Sequence, residues 1–327
     1  MFYAFSIIAL LCWSGSDFFS KKGTREQDKN SHWKVVFAVG LIMGIHFFIT
    51  LIGGAIINNN GGPASVPKLV SSLFYTDFEM MDFVHYLPIA GVYILAMVFG
   101  YIGLRYIELS ISSPICNSSG TLAFVLCYLF GIYSLRDEKG ELTFNALTII
   151  GVVLVAVGII ALGFIDQRED PEIKKARQEA ANRKYTKSIL ALLLPISYLV
   201  IDALGTVGDE YVAKTKAFEI TEYAANSAFE LTFFILAIFA FVWVKFVKKD
   251  KIFKSNGALY MGGLCETVGQ IFYMAVMFSE FSVGMVIISA YCAISVLWSR
   301  IFLKEKLSWK HYAVIAMVVA GIVILGD

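Results

Sequence analysis

Ten apolar stretches, each about the length of a membrane span, fill this 327-residue chain, and its lysines and arginines cluster in every second gap between them. A hydrocarbon core about 30 Å thick takes about 20 helical residues to cross. Lipid offers no water to the backbone, so each stretch must bond its own amides and carbonyls as a helix. The stretches run at 2–20, 34–57, 84–107, 111–134, 144–165, 188–208, 221–244, 257–278, 281–303 and 311–326. With 58% apolar and 16% charged residues, the chain has too little polar surface to cover a water-soluble globule. The expected fold class is all-α integral membrane, with ten transmembrane helices.

Of the 27 lysines and arginines, 22 fall in the odd-numbered gaps and 5 in the even ones. The positive-inside rule makes the odd gaps cytoplasmic, and both termini of this multi-pass cell-membrane protein are expected outside. The N-terminus lacks a basic leader and a small-residue cleavage site, so it reads as the first span and not as a signal peptide. A net charge of +1, with no basic face interleaved with aromatics, points away from nucleic acid. The five cysteines lie inside spans with no Cys-x-x-Cys, which points away from a metal or disulfide framework. No Walker loop, Gly-x-Ser-x-Gly or His-Glu-x-x-His pattern is present, and no cofactor is expected. The gap 58–83 opens as a Gly/Pro/Asn turn with room for a short interfacial helix.

The two halves echo each other. Glu108-Leu-Ser-Ile-Ser is matched by Glu280-Phe-Ser-Val-Gly, and in that register Tyr101 corresponds to Tyr273. Gly158 and Gly163 frame the same kind of segment as Gly321 and Gly326, and the preceding turns carry Leu142-Thr143 and Leu307-Ser308. A five-span unit is odd, so its copy enters the membrane from the other side. The expected organisation is two inverted five-helix repeats, 1–165 and 188–327, joined by a charged cytoplasmic linker at 166–187. Inverted repeats are how alternating-access carriers are built.

Trp13-Ser-Gly15-Ser in span 1, the turn Ser110 to Pro114 entering span 4, and Lys304-Glu305-Lys306-Leu before the last span resemble the EamA-domain carriers of the drug/metabolite transporter superfamily. The resemblance covers the whole chain. It implies a ten-helix bundle in which spans 1, 3, 4, 6, 8 and 9 surround a central cavity, with 5 and 10 at one side and 7 peripheral. The family's substrates include amino acids, other metabolites, amines, sugar nucleotides and drugs. Asp202-Ala-Leu-Gly205-Thr206 is also similar to the Glu-x-x-Gly-Thr of the small multidrug exporters, whose acid binds proton and cation in turn. Repeat 1 places Cys12 in that register, leaving one acid where a symmetric exporter has two.

A charge inside the hydrocarbon is costly, so interior acids are the first candidates for function. Asp202 lies mid-span; its alternative reading is an acid bonded to a neighbouring hydroxyl. Asp17 sits one turn from Lys21 and Lys22 and reads as an interfacial acid that pairs with them or contacts a substrate. Glu266, Gln270 and Tyr273 fall at i, i+4 and i+7, a polar stripe suited to a cavity wall or to interhelical bonding. Asn117, Ser118 and Ser119 follow Pro114, where a loosened helix frees carbonyls that could face a cavity. Trp13 shares a face with Asp17, as Tyr291 does with Ser295, and aromatics beside acids can hold a cation. Glu230 is a second-rank buried acid, Glu222 a solvated one, and His46 a packing residue; Arg105 and Glu108 are placed to pair locally.

These residues together suggest a secondary transporter moving a small polar organic metabolite, with an amine or zwitterion favoured, by alternating access, with proton coupling or exchange as its drive. The cavity set is Asp202, Trp13, Asp17, Tyr101, Asn117, Ser118, Glu266, Gln270, Tyr273, Tyr291 and Ser295, with Asp202 and Glu266 as coupling acids. The expected partners are a small-molecule substrate, the lipid bilayer and protons, and the chain is a monomer or a homodimer. A multidrug exporter of lipophilic cations, a non-transporting membrane partner and an integral-membrane lipid enzyme are the alternatives.

Overall fold

A computed structural model describes residues 1–24, 28–134, 146–168, 189–252, 257–279, 288, 290–305 and 307–324. Among them all regular structure is helical. The first half holds α1 (Phe2–Gly23), α2 (Ser31–Asn59), the short α3 (Lys68–Phe74), α4 (Met80–Gly103), α5 (Leu109–Asn117), α6 (Ser119–Leu129) and α7 (Ala146–Arg168). The second holds α8 (Ile189–Thr215), α9 (Glu222–Val242), α10 (Gly257–Met277), α11 (Tyr291–Phe302) and α12 (Trp309–Ile324). Most of the linker 166–187, the Glu280 motif, Leu142-Thr143, Lys306 and Gly326 lie outside the described residues, as do Arg25, Arg136, Lys139 and Lys254.

Among the described residues five helices are long and apolar enough to cross a membrane: α1, α2, α4, α8 and α9, the last with its π-helical extension to Val247. Parts of α7, α11 and α12 form shorter apolar helices. α10 has the length, but Glu266 and Gln270 interrupt its apolar run. Large apolar side chains such as Ile52 on α2 and Ile160 on α7 point outward, 66% and 72% exposed, as a lipid-facing surface requires.

Two expected boundaries change. The stretch 111–134 is not one helix but α5 and α6, parted at Ser118. Pro114 has no amide to give and crowds the turn before it. Ser118 then gives its amide to Ile115 and its hydroxyl to the Pro114 carbonyl, at 3.2 and 2.8 Å. The sixth stretch, expected to stop at 208, continues as α8 to Thr215, because Asp209 is buried and hydrogen-bonded and does not mark a solvated end. The gap 58–83 holds α3 after a turn in which Gly61 and Gly62 take φ of +102° and +81°, the left-handed region that favours glycine.

Helices from the two halves pair closely: α1 along α10, α2 along α9, α4 along α8, α5 along α11 and α7 along α12. α2 also meets α10, and α4 meets α9. Missing side chains set two of these approaches. A Cβ on Gly40 of α2 would stand 2.4 Å from the Phe233 carbonyl oxygen of α9, and one on Gly158 of α7 would stand 2.4 Å from Val318 of α12. The α2–α9 interface also buries a histidine–glutamate hydrogen bond. His46 Nδ1 lies 2.8 Å from Glu230 Oε1, Nε2 lies 2.9 Å from the Leu73 carbonyl, and Asn226 donates to the same Glu230 oxygen at 3.0 Å.

Side chains also tie down the helix ends. Thr221 accepts from the Ala224 amide at 3.1 Å, capping α9. Glu222, expected to be solvated, is half-buried and takes the Lys68 ammonium, because α3 folds back over the start of α9. Burial alone would lower the Lys68 pKa, but its bonds to Glu222 and Tyr223 outweigh that and hold it above the usual lysine range. At the opposite end of the bundle Lys34 bridges Asp28 and Asp250, at 2.7 and 2.8 Å. Hydrogen bonds from Lys34 and Asn30 draw Asp250 down to about 2. A free aspartate titrates near about 3.9, so this contact contributes stability above that pH and loses it as pH falls through about 2. Asp250→Asn should therefore flatten the acid limb of the melting temperature between about pH 4 and about pH 2. An unchanged limb would show that the cluster carries no folding stability.

Candidate functional site

A cavity of about 140 Å³ lies between α1, α4, α5, α6, α8, α10 and α11, with Phe229 of α9 at its edge. Its lining brings together three acids from three helices: Asp17 of α1, Asp202 of α8 and Glu266 of α10. Among the described lining residues there is no lysine, arginine or histidine.

Each acid is held by hydroxyls. Asp17 accepts from Ser113 of α5 at 2.7 Å and from Ser295 of α11 at 2.9 Å, both on Oδ2. Asp202 accepts from Ser119 at 2.6 Å, where α6 begins, and from the Tyr198 hydroxyl one turn earlier on its own helix. Glu266 accepts from Ser16. The break at Ser118 thus has a structural use: it turns Ser119 and Gly120 into the cavity beside Asp202.

The aromatic part of the wall is continuous. Trp13 lies 5.0 Å from the Tyr273 ring and 5.6 Å from that of Tyr291, centroid to centroid. Gly269 lets the indole lie against α10, since a Cβ there would come within 2.4 Å of it. Tyr101 is 7% exposed, lies near Asp17 and Glu266, and its hydroxyl has no hydrogen-bond partner among the described residues. Such an arrangement can surround an ammonium group with carboxylates and ring faces. It also leaves one free hydroxyl for a neutral polar group.

Of the residues expected from sequence, Trp13, Asp17, Tyr101, Asn117, Asp202, Glu266, Gln270, Tyr273 and Tyr291 line this one cavity. Ser295 is fully buried behind Asp17. Ser118 does not line it, its hydroxyl being spent on Pro114. Lys21, expected near Asp17, instead gives its ammonium to the carbonyls of Leu104 and Ile107 at the end of α4. Arg105 lies over the Tyr106 ring, and Glu108 is buried. Tyr93, Tyr198 and Thr206 are lining residues that sequence reasoning did not single out. Thr206 lies in the Asp202 motif, whereas nothing separates these tyrosines from the chain's 14 others. Asp209, also missed, sits two turns beyond Asp202 and is fully buried.

The fold and this wall are those of a polytopic membrane bundle with a polar centre. Residues 211–326, from the end of α8 to α12, match the model of the EamA-like transporter family, which is part of the drug/metabolite transporter superfamily. The match is narrower than the whole-chain resemblance. With the apolar helices, the match indicates a multi-pass membrane protein. A solved structure titled only "Crystal structure of protein" is similar over 98% of this chain and 96% of its own, with a TM-score of 0.55 and 15% identity. At that identity the likeness speaks for the fold alone. No curated protein matches this chain.

Proposed function

We propose that this protein is a secondary transporter that moves a small polar organic molecule, an amine or a zwitterion, by alternating access. The observation that carries the reading is the charge of the cavity: three carboxyls, aromatic faces and, among the described lining residues, no basic side chain. A cationic group entering this space gains partners, whereas an anion meets like charge. The packing supports a two-fold arrangement of repeats 1–165 and 188–327. Exchanging the halves turns α1–α10 into α8–α4 and α2–α10 into α9–α4, and both members of each exchange occur. Ten crossings with both termini outside follow from the repeat and the cation pattern.

The most informative experiment is a thermal-stability screen of the purified protein against amines, amino acids and organic acids, since a ligand of the folded state raises its melting temperature. Stabilisation by ammonium compounds, followed by their uptake into proteoliposomes, is the expected result. Stabilisation by organic acids alone would reverse the reading. The multidrug alternative draws on the same aromatic wall, and export of lipophilic dyes with no response to small amines would favour it.

The orientation has its own test. A C-terminal alkaline phosphatase fusion should be active and a C-terminal fluorescent-protein fusion dark. A bright cytoplasmic signal would overturn the outside placement of the C-terminus.

A further inference from the structure

We propose that Asp209 is a proton-binding site, separate from the cavity acids, loaded through a chain of tyrosine hydroxyls and closed to anything larger. Asp209 is 0% exposed and is not among the cavity's lining residues. Asp202, Thr206 and Asp209 follow at i, i+4 and i+7 on α8, so they share one face, with Asp209 about 10 Å along the axis from Asp202. Its carboxyl is enclosed by phenols: Tyr86 of α4 donates to Oδ1 and Tyr273 of α10 donates to Oδ2 at 3.5 Å, with Tyr93 of α4 beside them.

The charged neighbours give it no counter-ion. Among the described residues no lysine, arginine or histidine nitrogen lies within 4.0 Å of the carboxyl. The ionisable groups that bear on it are Tyr86 and Tyr93 of α4, Tyr273 of α10, and Asp202 and Glu210 of its own helix, so the neighbouring charges are acids. Glu210 is engaged elsewhere, by Tyr133 and Lys214. The phenols offset only part of the cost of burying a carboxylate with no cation beside it, and a proton removes that cost without altering the packing.

A route for the proton is in place. The Tyr273 hydroxyl lies 3.3 Å from the Tyr93 hydroxyl, which donates to Thr206 at 3.0 Å. All three of these side chains line the cavity, while Asp209 stands behind them. A proton arriving at the wall is accepted by one phenol as that phenol passes its own inward, so Asp209 gains one proton and the tyrosines end unchanged. A cargo ammonium cannot follow. The coupling role rests on the transporter reading: cargo competes with protons at Asp202, and Asp209 stores a proton that cargo never touches.

Infrared spectroscopy of the full-length protein in detergent tests the site without any cargo. Near neutral pH the wild type should show the carbonyl stretch of a protonated carboxyl that vanishes in Asp209→Asn and moves in Asp209→Glu. The glutamate variant serves alone if the asparagine variant does not fold. A spectrum that neither substitution changes would overturn the proposal. The two readings also fail separately. A protein that shows this band but transports no member of an amine and amino-acid panel keeps the proton site and loses the carrier reading. Amine uptake by a protein whose Asp209 stays a carboxylate does the opposite.

Discussion

Asp202→Asn is expected to abolish uptake, or to strip it of its pH dependence, while leaving a folded, monodisperse protein. The Asn carbonyl still accepts from Ser119, so the 2.6 Å contact that holds the side chain survives in kind. What disappears is the negative charge. A hydrogen bond to a charged group contributes about 1.5–3 kcal/mol, roughly tenfold to a hundredfold in affinity for an ammonium group. Asp202 is also bonded to Ser119 at the α5–α6 break, where Ser119 and Gly120 enter the wall. Uptake of an amine by proteoliposomes, measured across pH, is the readout. Normal, pH-responsive uptake in the variant would make Asp202 a packing residue and transfer the role to Glu266 or Asp17.

Gly40→Leu should be the most damaging substitution away from the cavity. The first added atom would stand 2.4 Å from the Phe233 carbonyl oxygen and 2.7 Å from the Ala237 methyl. The oxygen belongs to the backbone, so the two helices must part. Overpacking alone costs about 1–3 kcal/mol. Separation also threatens the buried His46–Glu230 hydrogen bond two turns along the same interface. The variant is expected to lose monodisperse yield and to melt well below the wild type. Gly91→Ala is the control: no atom lies within 4 Å of the added methyl, and alanine favours a helix by up to about 1 kcal/mol. Equal melting of Gly40→Leu and wild type would mean that α2 and α9 are not held by this contact.

The helices were legible because span length and apolarity are written locally, and each of the ten apolar stretches contains helix. Asp17, Asp202 and Glu266 stood out for the same reason, as charges in apolar surroundings. What escaped depends on partners far along the chain. Asp209 follows Gly208 and precedes Glu210, which reads as a polar helix end; distant phenols such as Tyr86, 123 residues away, make it an interior residue. His46 looked solitary because Glu230 is 184 residues distant. The split of span 4 was signalled by Pro114, but the break falls four residues later, where the Ser118 hydroxyl meets the proline carbonyl.

The turn between α4 and α5 has a consequence for the order of assembly. Its open carbonyls at Leu104 and Ile107 receive Lys21, which is already made when they appear. Its open amides at Leu109 and Ser110 receive the Glu305 carboxylate, 3.3 and 3.1 Å away but 196 and 195 residues later in the chain. During synthesis the first half therefore inserts with this corner half-closed. The start of α5 gains its cap only when α11 has arrived, so the completed bundle is sealed by one of the last side chains to enter it.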